Sequence, residues 1–344
     1  MSIHKICHSC VENFRHGNGE NSPLHHAVSS GHQLCVAAIL EEEEDRRTQR
    51  KGIRFTLSRV YSAVRGLPSA EEEPDLVNAT NEIGATPLYI AASKGDFQMV
   101  KMLVTHPDID VNIAMQDGAT PLYIAACRGD VDVVRQLMTH PEVDVNAATQ
   151  MGFTPVYFAA QEGHWEVVEQ LMEHPLLDVN KPMPDGATPL YIAAQEGHWE
   201  AVRELLEHPH IDVNTAEECG ATPLYIAAQE GHFQVVKHLL IDPSLDVNRT
   251  CGGAGGVQEN RATALYIAVQ EGCWEVVRQL SEHPHIDLDK PMQNGESGAV
   301  ETPLDLAKRK GYKVIESTLS GEVDVGCLTS ITGSLRNQPR IPYY

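Results

Sequence analysis

Five threonines, Thr86, Thr120, Thr154, Thr188 and Thr222, open nearly the same phrase, and each follows the last by 34 residues. The phrase is Thr-Pro-Leu-Tyr-Ile-Ala-Ala, and Thr263 and Thr302 continue the series at intervals of 41 and 39 residues. A fixed period of this size means one supersecondary unit copied in tandem, each copy burying its apolar face against its neighbours. Such an array folds by nearest-neighbour contact, so 344 residues need not divide into two or three globular domains. It also favours a binding surface over an active site.

Composition narrows the classes further. A hydrophobic content of 42% supports a continuous core. No run of about 18 apolar residues occurs, so no membrane span is expected. Met1–Phe14 lacks an apolar h-region, so no secretory signal is expected either. A net charge of -22 argues for a soluble protein and against nucleic acid as the main partner, because phosphate binding needs a basic surface. The eight cysteines do not recur at equivalent repeat positions, as a disulfide framework would. They read as reduced thiols in a cytosol-like, cytoplasmic compartment.

The copy from Gly186 to Asn214 shows how one unit folds. Thr188 serves as an N-cap and Pro189 as the first helical residue, where its missing amide costs nothing. Leu190, Ile192, Ala193 and Ala194 make a short apolar helix, which Gly197 ends in a left-handed conformation. A second helix is expected from about Trp199 to Glu207, with Val202, Leu205 and Leu206 on one face. His208 is placed in its last turn, where a cation suits the dipole, and Pro209 stops it. Ile211-Asp212-Val213-Asn214 then leads through a turn to Gly220.

Thr-Pro-Leu-Tyr-Ile-Ala-Ala-x-x-Gly-His, followed by Val-Val-x-x-Leu and Asp-Val-Asn, resembles the ankyrin repeat over residues 19 to about 320. The resemblance implies an all-α solenoid of helix-turn-helix units joined by hairpin-like loops. Two features depart from the family pattern. Tyrosine replaces the family's histidine at Tyr89, Tyr123, Tyr157, Tyr191, Tyr225 and Tyr266, and a His-Pro segment replaces the family's Gly-Ala turn, lengthening the period to 34. The segmentation reads 1–18 as an N-terminal segment, 19–40 as the first repeat and 41–80 as a charged, partly helical insertion. Repeats then occupy 81–114, 115–148, 149–182, 183–216, 217–257 and 258–297. Residues 298–320 form a polar capping repeat and 321–344 a partly disordered tail.

The insertion combines Glu41–Glu44, a basic stretch through Arg65, and Leu57, Val60, Tyr61 and Val64 at helical spacing. It reads as an extended second helix plus an extra helix packed on the array, or as a basic helix for a membrane surface or partner. Gly252–Gly256 and Gln293–Val300 lengthen two loops, the first of them flexible.

Cys7-x-x-Cys10, with His25, His32 and Cys35 following, is the one metal candidate, since such a pair with two later ligands can close a tetrahedral zinc site. One pair without a second is weak, and no metal or cofactor is the preferred reading. The His-Pro column reads as helix termination at the exposed ends of the second helices, and the tyrosines as inward rings whose hydroxyls bond along the stack. No phosphate loop, nucleophile elbow or zinc-hydrolase helix is present, so no catalytic residues are assigned.

The family resemblance implies a concave surface made by the hairpin tips and by the two residues before the glycine of each first helix. Carried onto this chain, the partner-binding candidates at the tips are Glu82, Asp117, Met151, Phe153, Asp185 and Glu218. Those at the helix ends are Lys94, Arg128, Gln161, Glu162, Gln195, Glu196, Gln229, Glu230, Gln270 and Glu271. A Gln-Glu ladder thus occupies the centre, with basic residues at both ends. The function expected is non-catalytic recognition of a protein partner. The wording resembles ankyrin proteins of host-associated bacteria, which implies an effector acting in a host cytosol. The alternative is a zinc-binding or enzymatic module in residues 1–80 carried on the array. Hydroxylation of Asn112, Asn146, Asn180, Asn214 and Asn248 is a further implication of the resemblance, and the His-Pro segment alters the leucine spacing upstream of these asparagines.

Overall fold

The computed structural model describes residues 22–48, 76–252, 261–293 and 300–321. Cys7, Cys10, the residues 49–75 that carry most of the basic stretch, loop residues 253–260 and 294–299, and tail residues 322–344 lie outside these.

Two compact units divide the chain, Met1–Pro184 and Asp185–Tyr344. In the first, helices pair as α1 (Pro23–Ser29) with α2 (Gln33–Thr48), α3 (Pro87–Lys94) with α4 (Phe97–Val104), α5 (Pro121–Cys127) with α6 (Val131–Met138), and α7 (Pro155–Gln161) with α8 (Trp165–Met172). In the second they pair as α9 (Pro189–Glu196) with α10 (Trp199–Leu206), α11 (Pro223–Glu230) with α12 (Phe233–Leu239), α13 (Ala264–Glu271) with α14 (Trp274–Ser281), and α15 (Pro303–Lys310) with α16 (Lys313–Ser320). Within each unit the first helices pack in one layer and the second helices in another. The tandem repeat read from the period, and the all-α architecture implied by the family resemblance, are therefore present. Among the described residues four two-residue strands are the minor addition: β1 (Thr250–Cys251), β2 (Ala262–Thr263), β3 (Met292–Gln293) and β4 (Val300–Glu301). Thr250 pairs with Thr263 and Met292 with Glu301, both antiparallel, so each lengthened loop stands on a short two-stranded foot.

The repeat phrase builds its helix through local bonds. The hydroxyl oxygen of Thr188 accepts the amide of Tyr191 at 3.2 Å, and Thr86, Thr120, Thr154, Thr222 and Thr263 make the same bond at 3.1–3.2 Å. These threonines are buried, so water cannot replace the bond. Gly197 closes α9 at φ 80°, a conformation that a Cβ penalises. The paired alanines, such as Ala91-Ala92 and Ala193-Ala194, are fully buried, and their small size brings neighbouring first helices close together. Val133, Val134 and Leu137 fill the layer between the rows from α6, with equivalents in the other second helices.

Bonds between successive repeats come from polar groups with a 34-residue rhythm. Asn112 Nδ2 donates to the Glu142 carbonyl at 2.6 Å while its Oδ1 accepts the Asp144 amide at 2.8 Å. Asn146 repeats this toward Leu176 and Asp178, and Asn78 toward Asp108 and Asp110. In the second unit Asn214 reaches Ser244 and Asp246, and Asn248 reaches His285 and Asp287. The asparagine of Asp-Val-Asn is thus a two-handed clamp on the next loop. Asn78 belongs to this ladder although it falls inside the segment read as an insertion, and its place 34 residues before Asn112 was the available signal. The first pair's second helix also runs on to Thr48, past the boundary at residue 40.

The His-Pro column needs correction. Helix α10 ends at Leu206 with Glu207 as its cap, so His208 lies beyond the helix, not in its last turn. Its Nδ1 accepts the His210 amide at 3.3 Å, and His106, His140, His174 and His283 turn back the same way. The ring closes the turn that follows the helix, and Pro209, which has no amide to give, keeps the helix from running on. Nor are these rings at exposed ends. His106 is buried and the others are half-buried.

Candidate functional site

The candidate surface comprises the tips before each capping threonine and the last turn of each first helix. In the first unit Glu82, Lys94, Asp117, Arg128, Met151 and Glu162 are exposed, while Phe153 and Gln161 are half-buried. In the second unit Asp185, Glu196, Glu218, Glu230 and Glu271 are exposed, with Gln195, Gln229 and Gln270 half-buried. The helix places the second residue of each pair outward because the first packs partly against its neighbour. Two of these glutamines also donate to the adjacent glutamate, Gln229 to Glu230 at 3.3 Å and Gln270 to Glu271 at 3.2 Å.

The basic ends of the ladder are largely engaged within the fold. Lys94 Nζ donates to the Ser29 carbonyl at the end of α1, and Lys310 Nζ to the Gln270 carbonyl. Arg128 pairs with Asp130 at 2.7 Å, and Arg309 holds Glu301 through two bonds of 2.7 and 2.9 Å. The lysines satisfy a helix C-terminal carbonyl, which suits a cation. Where the sequence has Gly-His instead, the histidine does the same: His164 Nε2 donates to the Cys127 carbonyl at 3.2 Å and His232 Nε2 to Gln195 at 2.9 Å. That duty explains why neither histidine caps its own second helix. Tip amides are likewise used between repeats. Gln116 Nε2 donates to the Glu82 carbonyl at 2.8 Å and Gln150 Nε2 to Gln116 at 2.6 Å. What remains outward is mostly acidic.

In each unit the first helices carry a row of tyrosines. Tyr157, Tyr191 and Tyr266 are buried and the others half-buried. Tyr266 donates to Glu301 in the next repeat at 3.0 Å, a bond along the stack. Burial raises the Tyr123 and Tyr225 phenols, each further raised by a neighbouring cysteine. Burial also pushes the Cys127 thiol up to about 11 and raises Cys251 and Cys273. These thiols are protonated at neutral pH and are poor nucleophiles. Cys35, Cys127, Cys219, Cys251 and Cys273 form no disulfide.

Among the described residues no group of three or more histidine, cysteine or acidic side chains is arranged to hold a metal ion. His25, one of the potential zinc partners, is committed elsewhere. Its Nε2 donates to the Ala85 carbonyl at 2.8 Å, and its Nδ1 accepts from Ser22 at 2.6 Å. Cys35 is buried. A cleft of about 350 Å³ lies between α6 and α8 on the other layer. Part of its polar lining is bonded within itself, with Arg135 donating to Gln170 at 2.7 Å and Gln170 to Glu173 at 2.6 Å. No helix among the described residues is long and apolar enough to cross a membrane.

One group escaped the reading of the sequence. Phe158 stands where the neighbouring phrases have isoleucine, and its ring lies 6.0 Å from Phe153 and 5.6 Å from Tyr123. The departure from the repeated phrase was the signal that marks it.

A family model described as "Ankyrin repeats (3 copies)" matches three overlapping spans, residues 59–149, 88–182 and 157–251, together more than half of the chain. No curated protein matches it.

Proposed function

Because the chain belongs to the ankyrin repeat family, we propose that it is a non-catalytic recognition scaffold whose tips and first-helix ends take a basic or amide-rich strip of a protein partner. The observation that carries this reading is the recurrence of exposed carboxylates at one repeat position, Glu162 in the first unit and Glu196 and Glu230 in the second. The cations of the same rows are held within the fold, so the outward field is negative and favours a positive partner. The raised phenols and thiols of the tyrosine row support binding over chemistry, since a catalytic nucleophile or base needs a shift toward its reactive form.

The test is charge reversal. A partner is identified by pull-down and mass spectrometry, and its affinity is measured by titration calorimetry. Glu162→Lys, Glu196→Lys and Glu230→Lys together are expected to weaken binding at least about tenfold, with a smaller salt dependence. An unchanged affinity removes these rows from the interface.

A further inference from the structure

The pair α7–α8 departs from its neighbours at four positions on the tip and first-helix side; one of them, Val156 in place of leucine, is buried, and the other three are not. Before the capping threonine it has Phe153, where Ala85, Ala119, Ala187 and Ala221 stand. After the tyrosine it has Phe158 in place of isoleucine, and at the tip it has Met151 in place of the Asp117 and Asp185 of the adjacent repeats. Those alanines are all buried, so the position needs only a methyl group. The Phe153 ring outgrows that space and stays half-buried, 5.7 Å from Tyr157 and 6.0 Å from Phe158. Met151 is 67% exposed. A substitution made for packing would bury the added carbon, whereas this cluster leaves it open at one point of an acidic row.

Two charges near it that no ion pair holds are both negative. The Tyr123 phenol, whose ring meets Phe158, feels the negative field of Asp117, and the Cys127 thiol feels that of Glu162, so both carboxylates lie close to groups of the adjoining repeat. Neither carboxylate takes part in an ion pair among the described residues, and the nearby Arg128 is held by Asp130. An apolar centre with unpaired charge of one sign at its edge matches a partner of the opposite sign carrying one large apolar residue. Resting on the scaffold reading above, we propose that Met151, Phe153 and Phe158 form the anchor site for a single bulky apolar side chain of a cationic peptide segment, whose lysines or arginines meet Asp117 and Glu162.

A random peptide display library selected on the full chain tests this directly. The expected consensus is one Trp, Phe, Leu or Met flanked by Lys or Arg. The selection is repeated on the variant Met151→Asp, Phe153→Ala, Phe158→Ile, which carries the residues of the neighbouring repeats, and a circular dichroism melt verifies that it folds. There the apolar preference is expected to vanish while the basic preference persists. A selected peptide, made synthetically, is expected to bind the variant at least about tenfold more weakly. Replacing that peptide's apolar residue by alanine should cost as much on the parent protein and nothing further on the variant. Equal affinity for parent and variant, or a selection without the apolar residue, overturns the anchor. A basic preference that survives Asp117→Lys with Glu162→Lys overturns the cationic half. The wider scaffold reading fails separately, through an unchanged affinity of the pulled-down partner for the Glu162, Glu196 and Glu230 reversals.

Discussion

The asparagine ladder makes a quantitative claim that Asn112 can test. Its side chain spans two repeats with a 2.6 Å donation to the Glu142 carbonyl and a 2.8 Å acceptance from the Asp144 amide. Alanine removes both bonds. Each net bond contributes about 1 kcal/mol, and the site is partly solvated, so Asn112→Ala is expected to cost about 2 kcal/mol. Aspartate keeps the acceptor but loses the donor, and it sets a carboxylate oxygen against the Glu142 carbonyl. Asn112→Asp is therefore expected to cost about 2–3 kcal/mol at neutral pH, no less than alanine. The measurement is urea unfolding followed by far-UV circular dichroism, with m held common to the variants. Repeat arrays can unfold in parts, so hydrogen exchange at the Asp144 amide supplies a local reading and should lose protection in Asn112→Ala. The reasoning is refuted if alanine lies within about 0.5 kcal/mol of the parent, the range of an ordinary surface change, or if aspartate proves the milder substitution.

Two further outcomes follow from the fold. Gly197→Ala combines a left-handed residue at φ +80° with a Cβ that would lie 2.6 Å from His232 Nδ1, whereas Gly311→Ala at φ +73° meets nothing within 4 Å. The second should cost about 1 kcal/mol and the first clearly more, because it also displaces His232 from the Gln195 carbonyl; equal melting shifts would rule out the His232 contact. Burial lowers the pKa of His25, opposed in part by its bond to the Ala85 carbonyl and aided by His26. A depressed histidine means the unfolded chain binds the proton first. The stability it contributes is complete above the ordinary value of 6.5 and is lost as the pH falls from there through the folded value. His25→Gln should therefore be less stable than the parent at pH 7, with the gap narrowing toward pH 5 in urea titrations; a constant gap would mean that His25 does not titrate with folding.

Much of the architecture was legible in the chain because the bonds that shape each repeat are short in sequence. Thr188 reaches Tyr191 and Gly197 ends the same helix, so threonine, proline and glycine announce both ends of α9. The same local logic misread the His-Pro segment. Proline bars the helix from continuing, but it does not reveal that α10 ends as early as Leu206, nor that the histidine ring closes the turn beyond it. The candidate surface was legible only as a set of positions. Glu162, Glu196 and Glu230 do point outward, but Lys94 and Lys310 look identical to free surface lysines until the preceding repeat brings a helix end to meet them.

The sequence by itself determined the period, the helix pairs and their caps, since each depends on contacts three or four residues apart. Tertiary structure alone decided which polar groups were left for a partner. The bonds that consume Asn112, His232, Lys310 and Gln116 span 30 to 40 residues, and a side chain's availability is settled only when the next repeat is stacked against it.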